Sequence, residues 1–172
     1  MEQIPKEVIE MAEDFFVFAS NEERKNLKDK YIKEQPLLWS FFDYMIKMIP
    51  DKTLFPRFEM MYLVTFRSFQ YYGIKLPLID ADFIDKTSKI TFELLDGKTE
   101  EERTLLAVEK KLKSFIFQHD LLDFIFAKLV QENGVDVQYR DQNNMVRGYI
   151  IVISIVFILY QKMGSELPSD IN

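Results

Sequence analysis

The sequence predicts an all-α fold, a single-domain bundle of about seven to eight helices, and three observations carry that prediction. Apolar residues recur at helical spacing along nearly the whole chain, and no segment sustains the two-residue alternation of a strand. The five glycines are isolated, and four of them fall where the periodicity breaks, as helix stops do. The third observation is YIIVISIVFILY, Tyr149 to Tyr160, which carries no charge and has Ser154 as its one strongly polar side chain. A membrane span needs about 20 apolar residues, whereas runs of about 10–14 are more often helices buried within a protein. Being apolar all round rather than along one stripe, this run is expected at the centre of the bundle.

The elements follow in order. The first helix is expected to begin near Pro5, a favoured first-turn residue, and to bury Val8, Met11, Phe15 and Phe18. Ser20 with Glu23 three residues later makes a capping box for a second helix, whose apolar face is Leu27 and Tyr31. Pro36 opens a third, with Leu38, Phe41, Phe42, Met45 and Ile49 facing inward. Pro50 and Pro56 bracket a connection to a fourth helix ending at Tyr72, and Gly73 supplies its left-handed stop. Asp80 or Asp82 caps a fifth, with Phe83, Thr87, Ile90 and Leu94, which closes at Gly97. Thr99 and Glu102 repeat the capping pattern before a sixth, with Leu105, Val108, Leu112 and Phe115. A break near His119-Asp120 starts a seventh, which Gly134 ends. After the polar connection 135–144 comes the eighth, about 144–163, which holds the apolar run and stops at Gly164.

One domain is expected over residues 1–164, with a loose tail over 165–172. Two halves, 1–74 and 75–164, carry a similar order of pieces. An acid-rich cap precedes Gln35-Pro36-Leu37-Leu38 in one and His119-Asp120-Leu121-Leu122 in the other, and a strongly apolar helix closes each. Two readings stay open: a duplicated four-helix unit, or the ordinary likeness of amphipathic helices.

Composition excludes several functions. A domain of 172 residues buries roughly 70% of its unfolded surface, so a core is attainable without staples. The 16 Phe, 8 Tyr and 8 Met supply the material for it. With no cysteine there is no disulfide, thiolate nucleophile or Cys-ligated metal, and a reducing compartment fits. The net charge is −6, and the basic residues are interleaved with acids, as in Glu22-Glu23-Arg24-Lys25. That disfavours nucleic acid and anionic membranes as partners. The opening MEQIPKEVIEMAED lacks the pattern of a signal peptide. A cytoplasmic location without a membrane span is expected, and the composition has the character of a bacterial protein.

No catalytic or metal site is expected, and no cofactor. His119 is the single histidine, and His119-Asp120 resembles the paired His-Asp of metal phosphohydrolases, which need further histidines that this chain lacks. Capping by Asp120 explains the string without chemistry. The pairs Asp82–Asp85 and Asp120–Asp123 resemble in outline the Mg²⁺-binding acids of helical diphosphate enzymes. They also sit in first turns, where negative charge suits the helix dipole. Arg67 is a lone cation in MMYLVTFRSFQYYG and Asp43 a lone anion in LLWSFFDYMIKMI, so an Asp43–Arg67 ion pair between the third and fourth helices is expected. In its functional form Arg67 anchors a carboxylate or phosphate. Trp39, Tyr71 and Tyr72 are candidates for a ligand pocket or partner surface.

The function these features favour is a non-catalytic helical interaction or scaffold protein, with a protein partner or self-association. The alternative is a small-ligand binder with an aromatic-lined pocket and Arg67 or His119 as its polar contact. An enzyme built on the Asp pairs or His119 comes third.

Overall fold

The computed structural model describes residues 3–95, 110, 113, 118–131 and 142–162. Among these it is all helical, with no strand. The elements are α1 (Lys6–Phe18), α2 (Asn21–Glu34), α3 (Pro36–Lys47), a 3-10 turn (Lys52–Leu54), α4 (Phe55–Tyr71), α5 (Ala81–Leu95), α6 (His119–Gln131) and α7 (Gln142–Lys162). The expected sixth helix with its Thr99–Glu102 cap, the stops at Gly97, Gly134 and Gly164, and the tail 165–172 lie outside the described residues. The question of duplication turns on that second half and rests there too.

Local chemistry sets the helix ends. The Ser20 hydroxyl accepts from the Glu23 amide at 3.2 Å while the Glu23 carboxylate accepts from the Ser20 amide at 2.7 Å, completing a capping box. The Ser20 hydroxyl also donates to that carboxylate at 2.7 Å, and this bond, with the one from the Ser20 amide, holds the Glu23 carboxyl below its usual range. Pro36 occupies the first turn of α3, where its missing N–H costs nothing. At the end of α4, Gly73 takes φ 78°, and the Gly73 and Ile74 amides reach back to the Gln70 and Phe69 carbonyls at 3.0 Å each. This is a Schellman stop, and it needs a residue tolerant of the left-handed region. Asp80, rather than Asp82, caps α5 by accepting from the Phe83 amide at 2.8 Å. The sharp α2–α3 joint holds Gln35, which is 2% exposed. Its amide donates to the Pro77 carbonyl at 2.8 Å and accepts from the Ile79 amide at 3.1 Å, stapling the extended link after α4 to the joint.

Helix α7 packs against α3, α4, α5 and α6. Every residue from Ile151 to Leu159 is at most 3% exposed. Full burial of one large aliphatic side chain contributes about 1.5–3 kcal/mol, so this run is a principal source of stability. Its one hydroxyl, on Ser154, donates to the Ile150 carbonyl at 2.8 Å and so takes no unpaired group into the core. Helix α4 uses the same device, with Thr65 bonded to Met61 and Ser68 to Val64, both at 2.8 Å. Gly148 lets α7 approach α4 closely: the buried Phe58 ring lies so near that an added Cβ would overlap it. At the far end Lys162 pairs with Asp80 at 3.2 Å, tying the close of α7 to the start of α5.

The inward face of α1 differs from the expected one. Ile9, Ala12 and Phe16 are buried, Val8 and Phe15 border the core, and Met11 and Phe18 point outward at 57% and 82% exposure. Two apolar stripes, 8/11/15/18 and 9/12/16, both satisfy helical spacing and lie one residue apart. Packing against α4 and α6 selects the second, with the small Ala12 allowing close approach. In α3 the buried set is Leu38, Phe42 and Ile46, with Phe41 and Met45 at the border.

An aromatic cluster joins α2, α3 and α4. Tyr62 stacks on Phe42 with ring centroids 4.5 Å apart and meets Phe66 at 4.9 Å and the Trp39 edge at 5.3 Å. Its hydroxyl is buried without a hydrogen-bond partner, and burial pushes the phenol pKa far up. An unsatisfied buried hydroxyl costs about 1–3 kcal/mol, and removing it without changing shape recovers part of that cost. Tyr62→Phe is therefore expected to raise unfolding stability by about 1 kcal/mol in urea titration. A loss of stability would show that the hydroxyl has a partner.

Candidate functional site

The most distinctive surface lies where the outer edge of α1 meets the end of α4. Met11, Phe15 and Phe18 recur every three or four residues and so share one side of α1. Phe15 is half-buried, while Met11 and Phe18 are open to solvent. Across from Phe15, α4 presents Arg67, and Tyr71 follows one turn later. The guanidinium carbon of Arg67 sits 4.8 Å from the centre of the Phe15 ring and 4.3 Å from that of Tyr71. Both contacts are cation–π stacks, a role that arginine fills well because its group is planar and weakly hydrated.

In-plane contacts of Arg67 are few. Nη2 donates to the Tyr71 hydroxyl at 3.1 Å, Nη1 makes a long contact to Gln70 Oε1 at 3.4 Å, and Nε is buried with no partner. Gln70 Oε1 also accepts from the Tyr31 hydroxyl at 3.1 Å, and the Gln70 amide donates to Glu34 at 3.2 Å. Burial pushes the Tyr31 phenol well above its ordinary value, opposed in part by the Arg67 charge, so it is neutral at physiological pH. Tyr71 is 39% exposed and completes the apolar surround.

The expected Asp43–Arg67 pair is not formed. Asp43 pairs with Lys47 on its own helix at 2.6 Å, and Arg67 faces α1. The reason is rotational. Tyr62 is the residue of α4 that meets α3, through Trp39 and Phe42. Arg67 comes five residues later, about 140° further round a helix that turns about 100° per residue.

The remaining candidates are dispersed. Trp39 is half-buried in the aromatic cluster, with the Lys28 ammonium 4.9 Å above its ring and Lys28 itself paired to Glu59 at 2.7 Å. Tyr72 packs at the border of the core. His119 opens α6, exposed, with Nε2 2.9 Å from the Lys113 carbonyl. Asp85 is paired with Lys89 at 2.7 Å and Asp123 with Lys113, so neither Asp pair presents two unengaged carboxylates. Among the described residues no group of three or more His, Asp or Glu side chains could hold a metal ion.

Two surface grooves open away from Arg67 and His119, the first of them beside the Lys28–Glu59 pair. One, of about 460 Å³, has Phe16, Met60 and Leu63 among its lining with Arg24, Lys25 and Lys28. The other, of about 330 Å³, brings Met45, Met48, Phe92 and Ile150 together with Arg147. Neither is lined by Arg67 or His119, the polar contacts expected of a ligand pocket. No helix among the described residues is long and apolar enough to cross a membrane. No protein-family model, no curated protein and no solved structure matches the chain.

Of the five residues singled out in the sequence, the structure brings Arg67 and Tyr71 together and leaves Trp39, Tyr72 and His119 elsewhere. The four-residue spacing of Arg67 and Tyr71 was a readable signal for their contact. Phe15 as the second ring was not, because it comes from another helix. With Asp43 and Arg67 engaged separately, their substitutions are expected to be additive within about 0.5 kcal/mol in a double-mutant cycle. Asp43→Asn alone should change stability by less than about 1 kcal/mol, as exposed pairs do. A coupling energy above about 1 kcal/mol would restore the ion pair.

Proposed function

We propose that this chain is a non-catalytic helical interaction protein of the cytoplasm, working through the surface formed by the outer edge of α1 and the end of α4. The observation that carries this reading is the outward stripe Met11–Phe15–Phe18 running into Tyr71. On α1 the large apolar side chains Met11, Val17 and Phe18 stand open at 57%, 55% and 82% exposure, and on α4 Tyr71 does so at 39%. Single exposed apolar residues are ordinary, whereas a contiguous set marks a contact surface. Tyrosine and arginine, both present here, are enriched among the residues that dominate binding energy. The cysteine-free composition supports a reducing compartment.

The apolar groove with Arg147 on its lining supports a second reading, a small-ligand binder. Its volume of about 330 Å³ lies at the lower end of the range for small-molecule sites. Arg147 is the one charged or polar side chain on its lining, so the interaction reading is preferred.

The test compares the wild-type chain with the Met11→Gln/Phe18→Ser double variant, both changes being at exposed positions that leave the core intact. Light scattering measures self-association, and quantitative affinity capture from a lysate of the source cell measures a heterologous partner. The wild type is expected to self-associate or to retain a partner at least tenfold better than the variant. Equal behaviour of the two proteins would remove this surface from the account.

A further inference from the structure

We infer that Arg67 is the specificity contact of this surface, and that the partner is a polypeptide segment bringing one Asp or Glu carboxylate to it beside an apolar side chain. This rests on the interaction reading above and adds the chemistry of the partner.

Arg67 is half-buried, yet among the described residues no carboxylate lies within 4.0 Å of its guanidinium. Its in-plane neighbours are the Tyr71 hydroxyl and the Gln70 side-chain oxygen, both neutral. The Tyr31 hydroxyl, which also adjoins the guanidinium, is neutral as well. The nearest acid in the network, Glu34, is held one residue away by the Gln70 amide at 3.2 Å and is paired with Lys30 at 3.7 Å. A cation taken partly out of water is ordinarily matched by an anion. Here two aromatic faces support it and no anion does.

That arrangement is a prepared acceptor site. The rings fix the guanidinium plane, so little side-chain entropy remains to be lost when a carboxylate arrives. An arginine fork can take a carboxylate through two parallel hydrogen bonds. A partner that covers Phe15, Phe18 and Met11 excludes water around the contact and so strengthens it.

Two features select a polypeptide acid over other anions. From Met11 to Phe18 the exposed apolar stripe spans about 10 Å, at about 1.5 Å per residue, which calls for an apolar side chain next to the acid. A free phosphate would leave that stripe uncovered and would be met by a single cation. Asp14, exposed on the same side of α1 between Met11 and Phe18, forms no ion pair with Arg67. Its charge opposes a run of acids, so the partner must place one carboxylate over Arg67 rather than present an acidic tract.

A library of random 16-residue peptides displayed on phage, selected on the intact chain, tests this. The recovered peptides are expected to share one Asp or Glu within four residues of a large apolar residue. Changing that acid to its amide should weaken binding at least tenfold, measured by fluorescence anisotropy. Arg67→Gln, checked for folding by its thermal melt, should weaken binding equally. The charge-swapped pair, Arg67→Glu with the peptide acid changed to Lys, should regain part of the loss. The peptide-side substitution reads the same contact without touching the fold. Peptides that need Phe18 but tolerate loss of their acid would overturn the inference and leave the interaction reading standing. Peptides indifferent to both Phe18→Ser and Arg67→Gln, or no recovered peptides at all, would overturn both.

Discussion

A helix that is apolar on every side has to be covered on every side, and this requirement organises the molecule. From Ile151 to Leu159 no residue of α7 exceeds 3% exposure, and the cover is supplied by α3, α4, α5 and α6. Helix α4, which buries nine residues, serves both as a wall of that enclosure and as the seat on which α1 rests. Once those helices are committed to α7, α1 is a peripheral element with only one stripe to bury. Its other stripe is left outside, and the proposed contact surface follows from that surplus.

The polar groups inside the fold divide into those closed locally and those left open. Ser154, Thr65 and Ser68 return their hydroxyl protons to carbonyls four residues back, and Gln35 spends both ends of its amide on the backbone of the link between α4 and α5. Tyr62 and Arg67 differ in kind from these. The Tyr62 hydroxyl is sealed within an aromatic cluster, where nothing from outside reaches it. Arg67 lies half-buried near the surface: its Nε is enclosed, while its Nη atoms have neutral partners, Gln70 and the partly exposed Tyr71.

What could be read from the sequence was the chemistry that acts within a few residues. Ser20 and Glu23 predict a capping box because both bonds close over three residues, and Gly73 predicts a stop because its φ depends on its own backbone. The enclosure of Ile151–Leu159 was legible from the lack of any polar side in that run. The face of α1 was not, since 8/11/15/18 and 9/12/16 have equal claim to periodicity and only the position of α4 decides between them. The Asp43–Arg67 pairing failed for a related reason: facing charges on adjacent helices depends on the rotation of each about its axis. The Arg67 site was half legible, through the four-residue step to Tyr71, while Phe15 entered it only by tertiary packing.

The central claim is that α7 is shielded by its own chain, and native-state hydrogen exchange measures this most directly. The account predicts that, without detergent, the amides of Ile151–Leu159 exchange only through global unfolding, with the same free energy that urea denaturation gives. Exchange within minutes at those positions while α1 and α2 stay protected would contradict it.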